Sequence, residues 1–139
     1  MTNSPRSVLR GSQLPRVDHT PLFHSSAGDD AVDLAAVAGL NLDEWQQHVL
    51  RGSLGERPDG RWQAFEVGLV VPRQNGKGSI LEARELAGMF LFGERMIIHT
   101  AHLFSTAKEH QMRIESLIRG SELVEYMKGF QGDPNGVCL

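Results

Sequence analysis

Apolar residues recur along this chain at two spacings, and each spacing predicts a different kind of element. Leu42, Trp45 and Val49 share one face of a helix expected over residues 42–51, with Asn41 and Glu44 as its capping box and Gly52 after its end. Ile80, Ala83, Ala87 and Phe90 keep helical spacing until Gly93, so residues 79–91 read as a largely buried helix with Glu82 and Glu85 on another face. Ala107, His110, Ile114, Leu117 and Ile118 mark a long amphipathic helix, opened by a Thr106 and Glu109 capping box and closed by Gly120. Ser121 caps a shorter helix ending near Lys128, and the alanine-rich stretch 31–38, between Asp29-Asp30 and Gly39, is a short helix.

Two segments are continuous apolar runs instead. Phe65-Glu66-Val67-Gly68-Leu69-Val70-Val71 stops at Pro72, and Met96-Ile97-Ile98-His99-Thr100 is a second short run rich in strand formers. The order strand, loop, helix, strand is a βαβ unit, which has a right-handed crossover and a parallel sheet. Between these elements Arg57-Pro58-Asp59-Gly60 carries the residues of a chain reversal, and Asp133-Pro134-Asn135-Gly136 forms a second turn cluster. Residues 1–28, rich in Ser, Pro, Arg and His without periodicity, read as a disordered or extended arm.

Composition narrows the function classes. Hydrophobic residues make up 40% of the 139 positions, and with 15 glycines this is the level of a globular protein. Fourteen basic against 17 acidic residues give a net charge of −3, so no global positive field draws the chain to nucleic acid or anionic lipid, and phosphate binding has to be local. The single Cys138 has no disulfide partner in the chain, a reducing compartment fits, and no stretch reaches the length of a membrane span. The chain therefore reads as cytosolic. Only three lysines occur, Lys77, Lys108 and Lys128, which draws attention to each.

Lys77 lies in Pro72-Arg73-Gln74-Asn75-Gly76-Lys77-Gly78-Ser79, between a predicted strand and a predicted helix. A loop so placed aims backbone N–H groups and the positive helix end at phosphate oxygens, while the lysine reaches the terminal phosphates. The pattern G-x-x-x-x-G-K-[ST] is met only at Gly76 and Lys77, since Val71 stands for the first Gly and Gly78 for the hydroxyl. A Gly-Lys pair arises by chance roughly 0.3 times in a chain of this composition, so the placement carries the argument and the spelling does not. A basic surface turn joining strand to helix is the plain alternative.

Three segments taken in order, Leu42-Asp43-Glu44-Trp45-Gln46-Gln47-His48-Val49-Leu50, the loop from Val71 to Ser79, and Ile98-His99-Thr100-Ala101-His102, resemble the large terminase subunit of tailed bacteriophages. The resemblance covers about residues 29–129. It implies a P-loop NTPase of α/β class, with a RecA-like (additional-strand) parallel sheet flanked by helices, of which residues 29–139 are the N-terminal part, ending before the Walker B strand. It implies an ATPase that translocates double-stranded DNA into a procapsid, with ATP and Mg²⁺ as cofactors. The nuclease domain of that family has no counterpart in the chain.

By the same resemblance, Trp45 and Gln46 match a Q-motif pair at the adenine, and the deviant Walker A loop starts at a basic residue, here Arg73. Arg73, Gln74, Asn75, Gly76, Lys77, Gly78 and Ser79 would line the nucleotide, with Lys77 and Arg73 catalytic and Ser79 the Mg²⁺ hydroxyl in place of Gly78. His99, Thr100 and His102 match a motif on the coupling or DNA side. The implied partners are the portal protein, the small terminase subunit and further copies in a homo-oligomeric motor. The implied location is the host cytoplasm, transiently docked on the procapsid, with no membrane.

Each residue also has a simpler reading. Trp45 on an apolar helix face packs in a core, Gln46 is a solvent amide, and Lys108 and Arg113 are a solvated helix face. His99 and His102 with His48 or His110 invite a zinc site, but no cysteine or clustered carboxylate completes the ligands, so satisfied polar histidines are expected. No apolar strand bearing an Asp-Glu pair follows the loop helix, so the isolated chain should hydrolyse no ATP. A helicase-like P-loop ATPase is the enzymatic rival, and an inactive remnant that only binds is the non-enzymatic one.

Overall fold

Gly28 allows two helices to touch. A Cβ there would lie 2.3 Å from the Arg51 Cα, so α1 (Gly28–Val37) meets α2 (Glu44–Ser53) in near backbone contact. This computed structural model describes residues 11–126. Buried Ala31 and Ala35 keep the face of α1 thin, and α3 (Lys77–Phe90) packs against both helices. Ile80, Ala83 and Ala87 of α3 join Leu40, Leu42, Leu50 and Leu54 in one core. A second core, Ala38, Leu86, Ile114, Ile118 and Leu123, seats α4 (Phe104–Arg119) and a 3-10 turn at Glu122–Tyr126 against α3. Each wholly buried Leu or Ile here contributes about 1.5–3 kcal/mol over an exposed one.

Helix positions follow the apolar spacing, and the caps differ from expectation. The cap of α2 is Asp43, not Asn41: the Asp43 N–H donates to Gln46 Oε1 at 2.7 Å, so Gln46 takes the role expected of Glu44. Asn41 is thereby left outside the helix. The long helix α4 opens at Phe104 behind an extended Leu103 with no side-chain cap, which puts Thr106 inside its first turn. It ends at Gly120 as expected. After Ser121 comes the 3-10 turn rather than an α-helix, while Lys128, Cys138 and the turn at 133–136 lie outside the described residues. At 57–60 the chain does reverse, with Gly60 at φ +76° donating its N–H to the Arg57 carbonyl at 3.0 Å.

The arm is tied down where it is described. Ser25–Ser26 (β1) pairs antiparallel with Gly55–Glu56 (β2), and Phe23 lies so close to Gly55 that a Cβ there would sit 2.7 Å from its ring. Farther back, Gln13 Oε1 accepts the Trp45 N–H at 3.2 Å, and Asp18 meets His48 at 3.0 Å. Residues 11–26 thus run along α2 instead of hanging free.

Segments 65–71 and 96–100, read as parallel strands, belong to no ladder among the described residues, whose sheet is the two-stranded β1-β2 pair. Much of their apolar surface is uncovered: Phe65 and Val70 are essentially fully exposed and Met96 and Ile98 three-quarters exposed, while Val71 and Ile97 are half-buried. A parallel strand needs hydrogen-bonded neighbours at about 4.8 Å and cover on both faces. Neither is present here, so the described fold is a helical cluster carrying two uncovered apolar segments.

Candidate functional site

The N-terminus of α3 is open. Arg73, Gln74, Asn75 and Lys77 are exposed, Gln74 has φ +61° and Gly76 φ +74°, and the Asn75 amide donates to the Pro72 carbonyl at 3.3 Å. Left-handed residues in such a turn direct successive N–H groups into one concavity, an anion nest. Gly76 is the N-cap of α3, and the N–H groups of Lys77 and Gly78 in its first turn have no intrahelical acceptor by helix geometry. The Ser79 N–H bonds back to the Gly76 carbonyl at 3.1 Å, and the Ser79 side chain is half-buried.

Gln46 reaches this loop from α2. Its Nε2 donates to the Gly76 carbonyl at 2.7 Å while Oε1 accepts the Asp43 N–H, and the residue is buried. The amide is therefore a brace between the start of α2 and the start of α3, not a solvent group. A Cβ on Gly76 would lie 2.9 Å from Gln46 Nε2, so glycine is required there for both its φ and its neighbour. Gly78 has open space around its Cα and no positive φ, so its missing hydroxyl is not a steric demand. Trp45, half-buried, packs against the first core and leaves part of its ring at the surface.

Just past its middle, α3 carries a different constellation. Glu85 Oε1 meets His99 Nδ1 at 2.8 Å and Oε2 meets His110 Nε2 at 2.9 Å, with the two rings stacked 3.7 Å apart at 10°. Burial alone would raise the Glu85 carboxyl, but hydrogen bonds from His110 and His99, with their charges, outweigh it and hold Glu85 below the usual glutamate value. Thr100 and His102, grouped with His99 by sequence, stay exposed and outside this cluster.

Beside it, buried Glu82 pairs with Arg113 of α4 at 2.5 Å and leaves Oε2 without a partner. Arg113 is thus committed to an ion pair and is not a merely solvated face. Arg84 forks onto Glu94 at 2.6 and 3.0 Å beneath the edge-on Trp62 and Phe92 rings.

The structure therefore brings Gln46 to Gly76, across 30 residues of sequence, and leaves His102 outside the cluster that holds His99. Sequence reasoning missed Glu85 as the partner of both histidines. Its only signal was a shared helical face, because Glu85, His110 and Ile114 belong to two helices whose packing no local spacing encodes. No protein-family model, curated protein or solved structure matches this chain. Among the described residues, no helix is long and apolar enough to cross a membrane.

Proposed function

We propose that the 72–79 loop is a phosphate loop of a DNA-packaging ATPase of the terminase large-subunit kind, in the α/β P-loop class. The observation that carries this reading is the Gln46 to Gly76 hydrogen bond, which joins the Q-motif candidate to the loop through a buried amide. The fit to a nucleotide triphosphate rests on the nest at Gln74 and Gly76 and on exposed Lys77 at the helix start. ATP and Mg²⁺ would supply the transferable phosphoryl group and its charge neutralisation. In this reading Lys77 holds the β and γ phosphates, Arg73 approaches the γ-phosphate, Ser79 offers the metal hydroxyl, and Trp45 covers the base. The remaining partners of the reading are double-stranded DNA, the portal protein, the small subunit and further copies of the chain in a motor ring.

Calorimetric titration of the chain with ATP, ADP and AMP tests it. Affinity should fall in that order and weaken at least tenfold in Lys77→Ala, with circular dichroism unchanged. Equal affinities, or binding indifferent to Lys77, would sink the phosphate-loop reading. Weak ATP binding without hydrolysis is the expected state of this chain, since no strand among the described residues bears a carboxylate pair to hold metal and orient water.

A further inference from the structure

Glu85, His99 and His110 come from α3, from the segment after it and from α4, and converge with their ligating atoms within 4.8 Å of one another. All three side chains are shielded, at 13%, 23% and 11% exposure. Neighbouring cations are committed elsewhere: Arg84 to Glu94 and Arg113 to Glu82. Among the described residues the ion-pair partners of Glu85 are the two imidazoles. Each imidazole aims one ring nitrogen at a different oxygen of the same carboxylate.

We propose that Glu85, His99 and His110 form a binding site for a divalent transition-metal ion of the zinc class. Two imidazoles and one carboxylate are the donor set that borderline ions favour, whereas Mg²⁺ prefers oxygen ligands and its own waters. Zinc bonds to nitrogen and oxygen at ~2.0–2.2 Å, so two donors across a tetrahedral angle stand roughly 3.4 Å apart. The present separations of 2.8 and 2.9 Å need to open by about half an ångström, and the two stacked rings need to turn out of their parallel arrangement so that both lone pairs meet one ion, shifts that side-chain rotation supplies. With the ion bound, His99 Nδ1 and His110 Nε2 are its ligands, each neutral ring carries its one proton on the other nitrogen, and any proton displaced from a ligating nitrogen passes to solvent. Three protein ligands leave a fourth position for water, the pattern of an exchangeable rather than a sealed site. The bound ion ties α3, the 96–102 segment and α4 together at one point. The site does not depend on the phosphate-loop reading, since no ligand of one belongs to the other.

The test titrates the full chain with Zn²⁺ and, separately, with Co²⁺ as a spectroscopic probe. The expected result is one ion per chain at micromolar affinity or tighter, a visible Co²⁺ band of four-coordinate intensity, and a melting temperature that rises with Zn²⁺ and falls back with EDTA. His110→Gln and Glu85→Gln should each weaken binding at least tenfold, and His48→Gln and His102→Gln should leave it unchanged. Millimolar Mg²⁺ should not displace the ion. In the unmutated chain, ¹⁵N spectra of the imidazoles should show Zn²⁺ shifting His99 Nδ1 and His110 Nε2 selectively, which keeps the test decisive even if a variant fails to fold. Binding that is absent, that is lost equally in His48→Gln, or that shifts other rings first would overturn the assignment.

Discussion

The two halves of α3 are built for opposite tasks. At its N-terminus, Gln74 and Gly76 hold left-handed backbone, and Arg73 and Lys77 are exposed without an ion-pair partner among the described residues. From its middle onward, Glu82, Arg84 and Glu85 are each matched to a partner outside the helix. Open donors and unpaired cations suit a ligand that arrives and leaves, while matched charges suit a joint that holds its shape. One helix thus couples a receptive end to a fixed end, and a substitution should reveal which end it touches by what it changes: ligand binding in the first case, stability in the second.

The largest contrast is expected for Lys77→Ala. On the proposed phosphate-loop reading, ATP turnover in a chain extended to include a strand-borne carboxylate pair should drop by roughly a hundredfold or more, because one positioned cation at a developing charge is worth several kcal/mol. Thermal stability should stay within experimental scatter, since the Lys77 side chain is exposed. Turnover that survives, or a melting temperature that falls with it, would remove the contrast.

Arg113→Ala probes the fixed end. Glu82 is buried and would keep its carboxylate without a partner, a situation that costs 3–5 kcal/mol when both charges are dry. Arg113 is itself more than half exposed, so the expected loss is smaller, about 2 kcal/mol by urea unfolding. Adding Glu82→Leu should recover most of it, because the orphaned charge is then gone. A double variant no more stable than Arg113→Ala would mean that the arginine stabilises through packing.

Gly76→Ala against Gly78→Ser tests the loop itself. Alanine at φ +74° costs about 1–2 kcal/mol and crowds Gln46, so both stability and ATP affinity should fall. Gly78→Ser meets open space and should move stability by no more than about 0.5 kcal/mol, with Mg²⁺-dependent affinity held or raised. Ser79→Ala should weaken the Mg²⁺ dependence only where Gly78 is kept. Equal losses in the two glycine variants would contradict the assigned geometry.

What could be read beforehand followed local rules. Four helices lie within a few residues of their apolar spacing, and the reversal at Gly60 followed from Pro58, Asp59 and Gly60. The cap of α2 was misplaced because adjacent residues satisfy the same rule: Asn41 and Asp43 both precede an acid or amide at the right distance, and the local pattern does not choose between them. Segments 65–71 and 96–100 have strand composition, but a ladder is a property of two stretches of backbone at once, and neither segment joins a ladder among the described residues. Of the site, the loop was legible because glycine and lysine carry their own geometry. The Gln46 brace and the Glu85 clamp were not, since each depends on two helices meeting.

The smallest effect concerns neither end of α3 but the arm that lies along α2. Asp18 accepts the Thr20 hydroxyl at 2.5 Å, the His48 ring at 3.0 Å and the Thr20 N–H at 2.9 Å, which together lower its carboxyl to about 2. Its value in an unfolded chain is about 3.9, so the folded value is depressed. The sign follows: the carboxylate adds stability that is fully present above the unfolded value and is lost as pH falls toward the folded one. Asp18 is a surface group, so water screens the gain and the melting temperature should hardly register it. The titration itself is the readout. Followed by the side-chain carboxyl resonance, the Asp18 midpoint should lie well below those of exposed aspartates, and Thr20→Val should move it back up more than His48→Gln does. An Asp18 midpoint near 3.9 in the unmutated chain would mean that the arm leaves α2 in solution, and the support that Asp18 lends to the helix carrying Gln46 would go with it.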